Sequence, residues 1–138
     1  MKIDSIQNGV VIDHISAGRG MKLYDLLGLD GLDCSVAIIR NVTSKKLGRK
    51  DIIKIDADIP VNFDVIGYVD PGATVNIIRG GVLVEKRAID MPEQLVNVIK
   101  CKNPRCITSC EQELEHVVKL TDREQKIYRC IYCETKAN

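Results

Sequence analysis

The first ninety residues contain short apolar runs whose period changes along the chain. Residues 10–15 are rich in Val and Ile, whereas residues 21–27 place apolar side chains at i, i+2, i+5 and i+6, closer to a helical stripe than to strand alternation. Gly28 and Gly31 are expected to end that helix. The remaining predicted elements are strands at 34–39 and 51–55, a short helix within 61–69, and strands at 73–78 and 82–86 around a Gly80-Gly81 turn.

That order predicts an α+β fold for the N-terminal part. A β-α-β-β-α-β order with one extra strand is the ferredoxin-like split pattern, an α/β sandwich in which two helices cover one face of an antiparallel sheet. The polar stretch 41–50 is interpreted as the connection between two strands. Because the strands are apolar at nearly every position, we expect another chain to cover the second face.

Four cysteines near the C-terminus carry the clearest chemical signal. They are spaced Cys101-x4-Cys106, then 23 residues, then Cys130-x2-Cys133. Two close pairs separated by such a spacer are typical of a closed tetrahedral zinc site, in which each pair wraps one side of the metal. With no open coordination position, this pattern predicts one structural Zn2+. We expect a small all-β zinc-ribbon or rubredoxin-like domain at 92–138, after a first domain at 1–91.

The other cysteines and the second histidine are interpreted as structural. Cys34 is expected to be a small buried hydrophobe and Cys110 a neighbouring thiol outside the zinc set, although it could compete as a ligand. His116 is expected on the surface of a strand. Disulfides are a weaker alternative, since the start of the chain does not resemble a signal peptide. Thiols and zinc thiolates indicate a reducing compartment, and we expect the cytoplasm.

Composition narrows the function classes. The formal net charge is +1, and no apolar run approaches the ~20 residues of a membrane span. Most sequence-independent nucleic-acid binders are far more basic, and with Phe63 as the single Phe and no Trp there is little to stack on bases. We therefore expect neither a membrane nor a nucleic-acid partner.

The N-terminal part also contains a candidate phosphate receptor. Asp13 and His14 lie in the first strand, Lys50 and Lys54 are spaced to share one face of another, and Lys86 follows the hairpin. One His and several Lys on one side of a sheet could bind phosphates, with a carboxylate for a ribose hydroxyl. The alternative is an ordinary solvated face. No glycine-rich phosphate loop of a common type is present.

Several segments in this order resemble one family. They are 8–15 (NGVVIDHI), 48–55 (GRKDIIKI), 73–76 (ATVN) and the CxxxxC…CxxC pattern. The chain resembles the regulatory chains of aspartate carbamoyltransferase, an enzyme of pyrimidine biosynthesis, from about residue 3 to the end. The resemblance implies a non-catalytic subunit whose N-terminal domain binds CTP, UTP and ATP as allosteric effectors. It also implies a zinc domain that docks on the catalytic chain, within a dodecamer of two catalytic trimers and three regulatory homodimers.

The resemblance further implies roles for individual residues. Asp13 and Lys54 would approach the ribose, and His14 and Lys86 the triphosphate, with Lys50 close by. Asn103 would lie at the interface with the catalytic chain. The base and ribose region would be lined by Ile3, Asp4, Ile6, Val11 and Leu83, and the zinc would be held by Cys101, Cys106, Cys130 and Cys133.

Two other function classes compete with this interpretation. The first is a zinc-ribbon nucleic-acid-binding module, supported by the basic residues near the cysteines: Lys100, Lys102, Arg105, Arg123, Lys126 and Arg129. A steep loss of binding with salt would identify it. The second is a zinc hydrolase or deaminase, which would need an open metal position and a nearby H-x-E arrangement. The sequence offers neither.

Overall fold

The computed structural model describes residues 6–45, 48–111 and 113–137. The chain divides into two compact units, residues 1–90 and residues 91–138. Within the described ranges, no helix combines the length and the apolar character needed to cross a bilayer.

The first unit has the ferredoxin-like architecture that the order of elements predicted. Its five strands form one antiparallel sheet in the order β2-β3-β1-β4-β5. A short 3-10 helix, Leu29–Gly31, follows the first α-helix. The elements are β1 (Gly9–Ser16), α1 (Gly20–Leu26), β2 (Val36–Ser44), β3 (Gly48–Ile55), α2 (Phe63–Val69), β4 (Thr74–Arg79) and β5 (Val82–Ala88).

Strand alternation separates a buried face of the sheet from an open one. Alternate residues of β1, β3 and β4 are buried against the helices, among them Ile12, Ile53 and Val75, each 0% exposed. Helix α2 contributes Val65, Ile66 and Val69 to this core, and α1 contributes Leu23. The second helix forms in spite of few strong helix formers. The Asn62 side chain caps it, since its Oδ1 accepts hydrogen bonds from the backbone N–H groups of Asp64 and Val65.

The polar stretch interpreted as a connection is largely strand. β2 continues to Ser44 and β3 begins at Gly48, so the two strands form a longer ribbon than predicted. A bulge between Ile39 and Val42 admits this extension, with Asn41 at φ 62°. The prediction of a connection at 41–50 was wrong because it relied on apolar side chains. Backbone hydrogen bonds between β2 and β3 continue beyond the buried residues without them.

Buried Asp51 of β3 connects the start of α1 to the bulge of β2. Its carboxylate accepts backbone N–H hydrogen bonds from Gly18 and Gly20 at 3.0 Å and from Asn41 at 2.9 Å. Gly20 is required at its position, because a β-carbon there would lie 2.9 Å from an Asp51 oxygen. The start of α1 and the bulge of β2 are therefore both positioned by one side chain of β3.

The second unit is a small, mostly β region, as predicted. Its elements are β6 (Gln94–Val96), a single-turn helix α3 (Ile107–Cys110), β7 (Val117–Asp122) and β8 (Ile127–Cys130), with the sheet in the order β6-β7-β8. Leu95, Val118 and Tyr128 form its core, and the Tyr128 hydroxyl donates to the Pro92 carbonyl at 2.6 Å. The strand β6 and the helix α3 were not predicted, because three or four residues are too few to show a period.

Candidate ligand face and candidate metal centre

The open face of the first sheet brings four of its strands together in one row. Lys54 of β3 is opposite Val11 of β1, Val11 is opposite Asn76 of β4, and Asn76 is opposite Lys86 of β5. Directly opposed residues of antiparallel strands point to the same face. Three of the predicted site residues therefore line a single row, with a lysine near each end. Within the described part of the chain, neither lysine has a carboxylate partner.

A second cluster lies two residues further along β1. The Lys50 ammonium is 2.9 Å from the Asp13 carboxylate, and His14 Nδ1 is 3.1 Å from the Thr74 hydroxyl. His14 stands at φ 58° in the bulge of β1, a left-handed conformation that is uncommon for a side chain of this size and recurs at functional sites. Burial tends to raise the pKa of Asp13, but hydrogen bonds from Lys50 and the His14 N–H outweigh it, so the pKa lies below its ordinary value.

The opposite end of the face is apolar. Gly9 is opposite Ile78, and Ile78 is opposite Leu83, which is 53% exposed. Ile6 is buried and packs over Gly9, where a β-carbon would lie 2.7 Å from Ile6 Cγ2. Ile3 and Asp4, which were also predicted to line this region, lie outside the described residues. From Gly9 to Asp13 the face runs about 13 Å, at ~3.3 Å per residue, from apolar to charged.

Asn76 was not predicted, although it occupies the centre of this face. Its Oδ1 is buried and has no hydrogen-bond partner among the described residues. An unsatisfied buried oxygen costs free energy and needs a reason, such as a ligand that donates to it. A polar residue in the middle of the apolar run 73–78 was the available sequence signal.

A cavity on the other side of the sheet contains none of the predicted site residues. It has a volume of about 380 Å3, and Val75, Ile77, Phe63, Glu85 and Arg87 are among its lining residues. Since Val75 and Ile77 alternate with Asn76, this cavity belongs to the helical face. Val11, Lys54 and Lys86 instead point to the open face.

The four cysteines predicted as metal ligands come together in the second unit. All four Sγ atoms lie within 4.8 Å of one another, with 3.5 Å between Cys101 and Cys133 and 3.7 Å between Cys106 and Cys130. Zinc–sulfur bonds of about 2.3 Å in a tetrahedron give sulfur–sulfur distances of about 3.8 Å. All four are free thiols, so these cysteines form no disulfide. The donor set fits one tetrahedral metal ion.

Two threonine hydroxyls contact thiols of this cluster. The Thr108 hydroxyl donates to Cys106 Sγ at 3.1 Å, and the Thr135 hydroxyl lies 3.2 Å from Cys133 Sγ. Hydrogen bonds from Thr135 lower the pKa of Cys133 to about 6, whereas burial raises the pKa of Cys101 to about 12. Thiolates are the metal-binding form, so the threonines favour metal binding.

Asn103 is tied to the same cluster. Its Nδ2 donates to the Thr135 hydroxyl at 3.3 Å, while its Oδ1 accepts from the Arg105 N–H at 3.0 Å. The side chain thus joins the loop between the first two cysteines to the segment after the last one. The residue is half-buried beside the metal centre.

Three other predictions for this chemistry have different outcomes. Cys110 is exposed on α3 and does not belong to the four-thiol cluster. Cys34 is half-buried just before β2, so the prediction of a buried strand residue was wrong. His116 precedes β7 instead of lying within it, and its Nδ1 accepts a hydrogen bond from the Cys101 N–H at 3.3 Å. It therefore supports the loop that holds a metal ligand.

The first unit offers an open, charged sheet face that could bind a ligand, and the second offers four thiols that could bind a metal ion. These features define the class of protein as a metal-binding protein of two units. Comparison with known families agrees unit by unit. Residues 1–90 match the aspartate carbamoyltransferase regulatory chain, allosteric domain, and residues 93–138 match its metal binding domain. The chain belongs to the family of aspartate carbamoyltransferase regulatory chains.

Individual relatives agree over nearly the whole length. The regulatory chain of Clostridium botulinum strain Hall is 47% identical over 134 residues, covering 97% of this chain and 92% of that one. That of Clostridium tetani is 47% identical over 135 residues, covering 97% and 94%. That of Bifidobacterium longum is 44% identical over 137 residues, covering 99% of both. The chain is accordingly a non-catalytic subunit, and its family implies the catalytic chain as its partner.

Proposed function

We propose that this chain senses nucleotides for aspartate carbamoyltransferase, with CTP, UTP and ATP as allosteric effectors of pyrimidine biosynthesis. The observation that carries the proposal is the polarity of the open face of β1, β3, β4 and β5. It runs from apolar Ile78 and Leu83, through the row of Lys54 and Lys86, to His14 and Lys50. A nucleotide has the same polarity, from its base through ribose to phosphates.

Each predicted contact has a physical basis in this arrangement. Lys86 and His14 would bind the triphosphate, and Lys54 and Asp13 would approach the ribose. Lys50 is already paired with Asp13 at 2.9 Å, so we assign it to holding that carboxylate as well as to the phosphates. The remaining contacts, to base and ribose, are assigned to Ile3, Asp4, Ile6, Val11 and Leu83.

We assign zinc to the four-thiolate centre. Soft thiolate ligands in a tetrahedral set favour zinc, and a set with four protein ligands leaves no position for a substrate. The metal would therefore hold the fold of a domain spanning 92–138, too small to be stable on its core alone. A domain of residues 1–91 would carry the nucleotide face.

The metal domain would connect the nucleotide-binding domain to the catalytic chain. The metal domain would dock on the catalytic chain, with Asn103 at the interface. We further propose that regulatory chains pair through the first domain, where Ala37, Ile39 and Ile52 leave part of the open face half-exposed and apolar. The complete particle would hold two catalytic trimers and three regulatory dimers in the cytoplasm. An effector would act through its different affinities for two states of this assembly.

Calorimetric titration of the metal-loaded chain with CTP, ATP and inorganic triphosphate tests the nucleotide site. We expect saturable binding in which a nucleotide displaces triphosphate. Lys86→Ala should weaken this binding, whereas the matched control Lys22→Ala should not, since Lys22 lies on α1 beside Tyr68. Equal affinities of the wild type and Lys86→Ala would show that the phosphates do not contact Lys86 of β5 and would contradict the proposed site.

A further inference from the structure

The outer face of the second sheet carries a line of positive charge that the metal centre does not use. Lys119 of β7 is opposite Arg129 of β8, and Arg129 is opposite Lys136 in the segment that follows. Gln94 of β6 continues the line on the other side of Lys119. Opposed residues share a face, and the core residues Val118, Tyr128 and Cys130 alternate with these, so the three cations point outward. We call Lys119, Arg129 and Lys136 the cationic row.

The cationic row is unfavourable for the unit by itself. Like charges directly opposite one another destabilise a sheet. Arg129 and Lys136 form a non-hydrogen-bonded pair, in which side chains approach most closely. This follows from the bonds on either side of it, Cys130 N–H to the Thr135 carbonyl and Ala137 N–H to the Tyr128 carbonyl. In the described part of the chain, no carboxylate forms an ion pair with any member of the row.

Apolar side chains stand beside the row. Val96 is opposite Val117, two residues along from the row, and is 40% exposed; Ile131 is 47% exposed. A shallow depression of about 490 Å3 lies beside Lys119 and Arg129, and its lining residues also include Ile131 and Glu134. Although Glu134 lies at this depression, the cations of the row have no ion-pair partner among the described residues, and exposed apolar groups next to such cations are typical of a surface that binds an acidic partner.

We propose that the cationic row binds an acidic helix of the catalytic chain, an interaction that rests on the proposed function. Cross-strand neighbours place their β-carbons about 4.5–5.5 Å apart. Carboxylates at i, i+3 or i+4, and i+7 of a helix are separated by about 5–6 Å, so one acidic stripe matches all three cations. An apolar residue beside that stripe would cover Val96 and Ile131. A nucleic-acid strand is the less suitable partner, because the whole chain has a formal net charge of only +1 and no Trp to stack on bases.

Charge reversal tests the row without disturbing the fold. Lys119→Glu places a carboxylate opposite Arg129, so the sheet should be at least as stable as before, by the same cross-strand rule. Lys136→Glu tests the other end. Lys126→Glu is the matched control, because it makes the same charge change in the turn between β7 and β8, away from the row. Metal content and circular dichroism verify that each full-length variant is folded.

The readout is the Kd of each metal-loaded chain for the isolated catalytic chain, measured between roughly 50 and 300 mM salt. We expect Lys119→Glu and Lys136→Glu each to weaken binding roughly tenfold at low salt and to flatten its salt dependence, with Lys126→Glu unchanged. Equal Kd values for wild type and both row variants would overturn the proposal while leaving the assembly itself intact.

Two further results would overturn it in distinguishable ways. If a single-stranded DNA of about 20 nucleotides binds the wild type with a steep salt dependence that Lys119→Glu abolishes, and catalytic-chain binding is unchanged, the row binds nucleic acid instead. If the wild-type chain itself does not bind the catalytic chain, both the row's assignment and the proposed function fail together.

Discussion

Replacing Asn76 by leucine should make the chain more stable and a poorer nucleotide receptor. The Asn76 Oδ1 is buried without a hydrogen-bond partner in the described structure, at the centre of the row between Lys54 and Lys86. A buried oxygen left unsatisfied costs about 1–3 kcal/mol, and leucine has nearly the same shape without that oxygen. We expect the free energy of unfolding of the first unit to rise by about 1 kcal/mol. Leucine's better fit to a half-buried strand acts in the same direction.

Nucleotide affinity should change in the opposite direction. We expect the Asn76 oxygen to accept a hydrogen bond from a ribose hydroxyl, since it shares a row with Lys54, which we assign to the ribose. Losing one such bond removes about 1 kcal/mol, or roughly a fivefold to tenfold increase in the Kd for CTP. Asn76→Asp is the informative companion variant. Its carboxylate would lie directly opposite Lys86, where it would compete with the phosphates for that ammonium and repel them, so the Kd for CTP should rise further than in Asn76→Leu.

Amide hydrogen exchange is the appropriate stability assay, because a chain with two units need not unfold in one step. The slowest exchanging amides of β1 and β4 report the free energy of unfolding of the first unit, and calorimetry reports the Kd for CTP. If Asn76→Leu loses more than about 1 kcal/mol of stability and retains full CTP affinity, the oxygen has a structural partner, and the reasoning is refuted.

Three other predictions concern the two sites separately. Lys86→Ala should raise the Kd for CTP and ATP about 10–100-fold, the range of a lost charged hydrogen bond, while analytical ultracentrifugation still shows assembly with the catalytic chain. Cys133→Ser, or a chelator, should release the metal and unfold the second unit, leaving nucleotide binding unchanged; zinc content and assembly report the loss, and normal assembly would contradict the structural role of the metal. Thr135→Val removes the hydroxyl hydrogen bond that lowers the pKa of Cys133 but keeps the backbone one, so protons should compete better for that thiolate. Metal affinity should fall about 10–100-fold, most strongly near and below pH 6, and a loss of the same size at every pH would contradict this reasoning.

The order of elements in the first unit could be predicted because each buried strand shows its own apolar run. Ile12, Ile53 and Val75 are all fully buried, and the turns between the runs contain Gly or Pro. The metal ligands could be predicted for a similar reason, since the spacing of Cys130 and Cys133 carries the geometry of a turn around a metal. Sequence patterns were sufficient for elements and ligand pairs that are formed by residues close together in the chain.

Features that depend on distant partners were not predictable from these patterns. The extension of β2 to Ser44 depends on pairing with β3, and β6 pairs with β7 across a long separation in sequence. The φ of 58° at His14 follows from a bulge that only the paired sheet defines. The role of Asn76 and the alignment of the cationic row likewise depend on register, which a single strand does not contain.

The most direct test of the regulatory function is the aspartate saturation curve of the catalytic chain reconstituted with this chain, recorded with and without CTP, UTP and ATP. The account predicts that at least one nucleotide shifts the half-saturating aspartate concentration. Lys86→Ala should remove the shift while the complex remains assembled. A fully assembled, metal-loaded complex whose curve is the same with every nucleotide would contradict the central claim that this chain transmits nucleotide binding to the catalytic chain.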